Sequence, residues 1–396
     1  MTVLKRVFGE GFRIFFLSAG IYGVLTGSVW ALWLMAQDGS GWDPLVAANP
    51  QMWHAHEMIF GYATAALGGF FLTAVPNWTN TPAARINYLT LAALLWLIGR
   101  VAMWFSGLIP AGALAVCDLA FVPVLGVKIA SQLVKRPKPQ NMMFLAILLL
   151  LWASNLMVHL DRMGAIEDGE SAGLRGGLFS LCAMIAILGG RITPAFTRNA
   201  MKREGEPENR WPMSYKPVER ATVVLALALP ALVIAQTPEA LPAVVAIGLG
   251  LLQGARLLSW RGAWTLRQPI LFALHLGLGM LGLGLCLWGL AGLGLGDEVA
   301  ALHLVGIGGV GGMTLAVMSR ASLGHSGRPL TAPRPVALAY GLLALTAILR
   351  WWGAGLEGDS YLPVMALVSI LWSLTFLLYL VALWPTWLLP KQRGET

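Results

Sequence analysis

A chain of 396 residues that is 57% hydrophobic and only 12% charged, with positive mean hydropathy, is no ordinary soluble domain, for which about 25% charged residues is usual. Its net charge of +8 would suit nucleic acid, but the basic residues sit in short connections between long apolar runs, which argues against that partner. The longest polar connection, residues 195–216, is too short to build a core of its own.

The apolar runs approach the roughly 20 residues that a membrane-crossing helix needs, and they lack the alternating ten-residue segments of outer-membrane strands. The expected fold is therefore all-α: a polytopic membrane helical bundle in an inner or plasma membrane. Residues 12–36 form the first span; Lys5, Arg6 and Arg13 lie at its start and no small-residue cleavage site follows, so it reads as an uncleaved anchor. The further spans fall at 54–78, 86–107, 109–131, 141–163, 172–194, 217–236, 240–260, 268–291, 297–320, 333–353 and 361–388, twelve in all within a single transmembrane domain. Lys and Arg collect in alternate connections, among them Arg85, Lys135, Arg136, Lys138, Arg198, Lys202, Arg203, Arg261, Arg267, Arg328, Arg334, Lys391 and Arg393. The opposite connections hold Asp38, Asp43, Asp161, Glu167, Asp168, Glu170, Asp297, Glu298, Glu357 and Asp359. Basic loops stay on the cytoplasmic side, so both termini are expected there. No internal repeat is visible. Cys117, Cys182 and Cys286 stand singly without C-x-x-C spacing and read as packing residues.

Within these spans the ionisable residues are few, and each is costly against lipid. The head of the second span carries His54, His56 and Glu57 in four residues. At about 100° per residue, His54 and Glu57 share a helix face and His56 points away, so the two histidines are expected to serve different partners. His159 near the end of the fifth span and His303 near the start of the tenth lie at the same outer depth, which puts four of the six histidines in one layer; His275 lies in the inner half of the ninth span and His325 in the loop after the tenth. Imidazoles from several helices at one depth suit copper, iron or zinc in a bundle core. C-x-x-C-H is absent, so any heme is non-covalent and b-type.

Asn155, four residues before His159, lies on its face and is a candidate to orient its ring or bond a ligand. Gly306, Gly309 and Gly312 recur every third residue after His303 and clear space for a helix or a flat macrocycle. Met58, Met157 and Met313 offer soft sulfur but read as core filling. Arg100 and Asp118 share an outer-half depth and read as an ion pair; otherwise Arg100, Arg162 or Arg350 can hold heme propionates. Arg191 and Arg320, at membrane exits rich in Gly and Arg, leave room for a second cofactor or anion site facing the cytoplasm. Glu57 is the candidate proton relay, and Asp118 the other intramembrane carboxylate.

The motifs WHAHEMIFGYATAALGGFFLTAVPNWT (53–79), NLMVHL (155–160), GGRITPAFT (189–197), the leucine-flanked His275 and LHLVGIGGVGGMTLAVMSRASLGHSGR (302–328) together resemble the NnrS family over about residues 10–390. The resemblance implies a multi-pass protein of the bacterial inner (cytoplasmic) membrane, associated with denitrification and the nitric oxide response, that binds heme and copper. By motif, His54, His56, Glu57, His159, Arg191, His275, His303, Arg320 and His325 fall on the family's characteristic positions. Ser326 stands where the family more often has threonine, and it keeps the hydroxyl. The reading is thus a protein with one or two hemes b and copper that binds, senses or reduces nitric oxide and takes electrons from an unidentified donor. The alternative is a twelve-helix transporter exporting a metal, a metal complex or a nitrosyl species.

Overall fold

In a bilayer every backbone N–H and C=O must find a partner within the protein, which leaves long apolar stretches the helix as their only open structure. The computed structural model describes residues 2–38 and 47–392; Asp43 and Arg393, counted in the charge asymmetry, lie outside them. Among the described residues twelve helices are long and apolar enough to cross a membrane, the number expected. They are α1 Gly11–Met35, α2 Pro50–Thr79, α3 Ile86–Trp104, α4 Ala111–Leu133, α5 Pro139–Arg162, α6 Gly169–Arg203, α7 Lys216–Ile234, α8 Ala240–Ser259, α9 Pro269–Ala291, α10 Glu298–His325, α11 Arg334–Gly353 and α12 Tyr361–Leu388.

Two ends differ most from expectation. α6 continues nine residues beyond residue 194, because Pro194 forfeits only one backbone bond, which the packed neighbours of a membrane helix tolerate. α10 runs on to His325, which therefore closes a helix instead of standing in a loop.

Neighbours in sequence pack side by side, and α12 returns to lie along α1. Gly20, Gly23 and Gly27 line the α1 face turned to α12. An added Cβ would stand 2.9 Å from Tyr379 at Gly20, 2.9 Å from Phe376 at Gly23 and 2.6 Å from Trp372 at Gly27. The missing side chains are the space these rings fill, and Trp372 Nε1 donates to Gly23 O at 2.9 Å. α6 occupies the middle, with 94% of its most apolar window buried. Its glycines admit α5 and α2: a Cβ on Gly173 would meet Ser154 O at 2.4 Å, and one on Gly177 would meet Phe60 at 2.5 Å. Arg175 of α6 then grips Glu298 of α10 with two nitrogens, at 2.6 and 2.8 Å, which brings the head of α10 to the core.

α2 and α10 are each interrupted by a π-helical segment, Glu57–Tyr62 and Leu304–Gly311. Both begin directly after a histidine, His56 and His303. A π segment adds a residue to the turn and is frequent at functional sites; here it changes the register of the helix that carries the ring.

Replacing Gly27 by leucine drives a side chain into Trp372 and Ser373. A loss of about 1–3 kcal/mol is expected, read as a lower thermal midpoint of the detergent-solubilised protein; an unchanged midpoint would show that α1 and α12 are not pressed together here.

Candidate metal centre

The head of α2 is set by Asn49, whose side chain accepts from Met52 N at 3.2 Å, with Pro50 in the first turn. One and a half turns on, Glu57 lies fully buried, as does His56 before it. Gly61 makes their surroundings possible: a Cβ there would fall 2.7 Å from Tyr22 and 2.9 Å from the Arg100 guanidinium. Both side chains pass over this bare stretch of backbone to reach Glu57. The Tyr22 hydroxyl donates to Glu57 Oε2, and Arg100 Nη1 to Glu57 Oε1 at 2.6 Å. Trp96 Nε1 donates to Gly61 O at 3.0 Å and fixes the same strip.

Arg100 also donates through Nη2 to Asp118 Oδ1, so one guanidinium joins a carboxylate of α2 to one of α4. The ion-pair reading of Arg100 and Asp118 is the arrangement found, and it leaves Arg100, 5% exposed, committed to carboxylates instead of propionates. The other oxygen of Asp118, Oδ2, faces α5, where Asn155 Nδ2 donates at 2.7 Å and His159 Nε2 lies at 2.9 Å. Since a carboxylate only accepts, the Asn155 amide must turn its NH2 to Asp118 and its oxygen to His56. His56 Nε2 stands 2.9 Å from Asn155 Oδ1 and 3.2 Å from Asp118 Oδ2, and its Nδ1 is 2.9 Å from Glu57 Oε1. Glu57 thus orients His56, not His54 as shared-face geometry suggests. The reason is Arg100, which draws the carboxylate to the α3 side.

His56, Asp118 and His159 each offer one ligand atom, all within 4.8 Å of one another and all buried. Two imidazoles and a carboxylate are a donor set for zinc, copper or iron, and the arrangement can coordinate a metal ion. His159 Nδ1 has no partner. Glu57, at Nδ1, stands behind the ring of His56 as a group that holds a ligand's orientation does, while Asn155 shares the Nε2 side with Asp118.

The other two histidines of the layer form a second pair. The His54 and His303 rings lie 6.4 Å apart, centre to centre, and within 12° of parallel. Trp30 covers His54 at 4.4 Å and Trp33 stacks on Trp30 at 4.6 Å. The two histidines of α2 therefore do serve different partners.

Most of the remaining candidates make contacts outside the two pairs. Arg162 is bound to Glu170 at 2.9 and 3.1 Å. His275 Nε2 is 3.1 Å from Thr197 Oγ1, and the His325 ring packs 5.6 Å from Phe12. Arg320 lies over Phe196 at 4.1 Å. Arg191 bonds Gln140 O at 2.5 Å and lines, with Lys138, Trp78 and Asn141, a cleft of about 230 Å³. Gly309 and Gly312 pack against Leu281 and Gly277, whereas Gly306 borders open space. Met313 is buried against Gly277 and Gly189 as core. Tyr22, Trp30 and Trp96 were not legible as parts of a site, because nothing in an apolar span marks which aromatic faces a carboxylate.

The family model described as NnrS protein matches residues 6–391 of the chain. No curated protein matches it.

Arg100 to methionine strands two buried carboxylates, the case in which loss of one partner costs about 3–5 kcal/mol. We expect a fall in thermal midpoint and in folded yield, with recovery in the triple variant Arg100→Met/Glu57→Gln/Asp118→Asn. Equal stability of R100M and wild type would show that the network carries no such load.

Proposed function

The chain belongs to the NnrS family, and we propose that it is an inner-membrane heme- and copper-binding protein of the nitric oxide response and denitrification. It binds, senses or reduces nitric oxide at a histidine-ligated centre on the periplasmic side. The observation that carries this reading is the buried His56–Asp118–His159 cluster, a ligand set enclosed by helices. The Lys and Arg bias of the connections supports a periplasmic side for the His54 end and a cytoplasmic one for the termini.

The residues fit such cofactors. His159 Nδ1 and His54 Nδ1, one from each histidine pair, are buried without partners, and imidazole suits both copper and iron. When bound, heme or copper supplies an open coordination position and a one-electron change of state to nitric oxide. The chain does the rest. Arg100 bridges the Glu57 and Asp118 carboxylates in an apolar interior. Asn155 holds His56 and Asp118 at a fixed separation. Glu57 stands between the Tyr22 hydroxyl and His56 Nδ1, where its carboxylate can hold a proton delivered to or from the imidazole. Such a relay serves reduction, which consumes protons; binding or sensing requires only the open position.

A visible spectrum and iron and copper counts on the purified protein test the proposal. A Soret band that moves on addition of nitric oxide, with copper present, is the expected result; a colourless, metal-free protein that takes up neither hemin nor copper would reject it in favour of transport. His159→Ala and Asp118→Asn should each lose one metal, and Asn155→Ala, which removes only support, should weaken metal affinity about 10–100-fold.

A further inference from the structure

We propose that the cleft between α2, α5 and α6, at the end of the bundle remote from the metal centre, binds a phosphate oxyanion carried by an acidic phospholipid headgroup or by a free phosphate. The inference goes beyond the metal-binding reading and stands without it.

Place and size come first. α2 carries His56 near its head and Trp78 near its foot, about 30 Å of helix apart, and for this foot the Lys and Arg bias of the connections supports a cytoplasmic side. The cleft's volume of about 230 Å³ is far above the roughly 10–15 Å³ that one water needs and below the roughly 300–1,000 Å³ of cofactor pockets. It suits a small headgroup and not a macrocycle.

Charge is the second observation. Lys138 and Arg191 both line the cleft, and no carboxylate does. Arg100, Arg162, Arg175 and Arg256 each meet an acid, whereas among the described residues none pairs with Arg191 or Lys138. Arg191 is aimed without being neutralised: its guanidinium lies 5.1 Å over the ring of Phe144, on which Trp78 stacks at 5.6 Å. It donates to Gln140 O, to Asn141 Oδ1 at 3.3 Å and to the Met143 sulfur at 3.8 Å. These contacts use three of the five N–H donors of a guanidinium, and the others are of the kind that holds phosphate oxygens.

Asn141 is the third. It is 7% exposed and lines the cleft. Its oxygen faces Arg191, so the NH2 is left over, and among the described residues nothing accepts from it. A buried amide with an idle NH2 calls for an acceptor, which an oxyanion supplies. α5 starts at Pro139, and the positive end of its dipole adds the same sign to the cleft.

The walls favour a lipid as the source. Leu188 and Ile192, one turn apart on α6, line the cleft together with Trp78, an apolar boundary that an acyl chain can follow and a free phosphate does not need. Tryptophan sits well at a membrane interface, and basic pockets between membrane helices on the cytoplasmic side take acidic headgroups.

The test uses the full-length protein, stripped of lipid in a neutral detergent and titrated with short-chain phosphatidylglycerol, with phosphatidylcholine of the same chain length and with inorganic phosphate. Bound molecules per chain are counted by native mass spectrometry. Wild type should prefer phosphatidylglycerol to phosphatidylcholine. Arg191→Gln should weaken its uptake about tenfold and Lys138→Gln about fivefold, with Arg191→Lys recovering part. Arg267→Gln removes an exposed cation outside the cleft and should change nothing. If Arg191→Gln does not elute as wild type, Lys138→Gln and Asn141→Ala decide in its place. The same pattern with inorganic phosphate and not with lipid identifies a free phosphate as the occupant. No saturable binding of either by wild type, unchanged affinity in the cleft variants, or an equal loss in Arg267→Gln would overturn the site. His159→Ala should bind phosphatidylglycerol as wild type does, so failure of the metal centre and failure of this site are read separately.

Discussion

The histidine-bearing end depends on one guanidinium placed between two carboxylates inside an apolar bundle. An isolated ionised carboxylate is so costly in a low-dielectric interior that it neutralises or finds a partner; Arg100 provides for Glu57 and Asp118 together. Because these come from α2 and α4 while Arg100 comes from α3, satisfying the charges also docks three helices. Asn155 and His159 extend the constraint to α5. The ligand atoms are held near one another by an electrostatic requirement that exists before any metal arrives.

On the other side of α2 the constraints are different. His54 is held by stacking on Trp30 and by its approach to His303, contacts that leave nitrogens free where the His56 side uses nearly every one. The two π segments separate these roles. Each starts directly after a histidine, so the rings project from an ordinary helix while the turn that follows is widened. One helix head thereby presents a dense, charge-paired face to α3–α5 and a sparser, ring-stacked face to α1 and α10.

Charge pairing at the other arginines has a local logic. Arg162 and Arg175 reach carboxylates near the same end, and Arg256 lies across Gly190 to bond Ala186 O and pair with Glu219. Against that pattern, Arg191 and Arg320 stand out by resting on a carbonyl and a ring. A sequence presents all of them alike, as arginines near span ends.

Apolar run lengths alone determined the class and the twelve crossings, because bilayer thickness and internal satisfaction of the backbone act on each segment separately. The same holds for the separation of His54 from His56, which helical rotation dictates within three residues. The pairings were decided elsewhere: that Glu57 turns to His56, that Asp118 completes a ligand set, and that His303 faces His54 depend on helices far apart in the chain. No local rule carries that information, since it arises only when glycine-lined faces let α1, α6 and α12 close and bring those heads to a common depth.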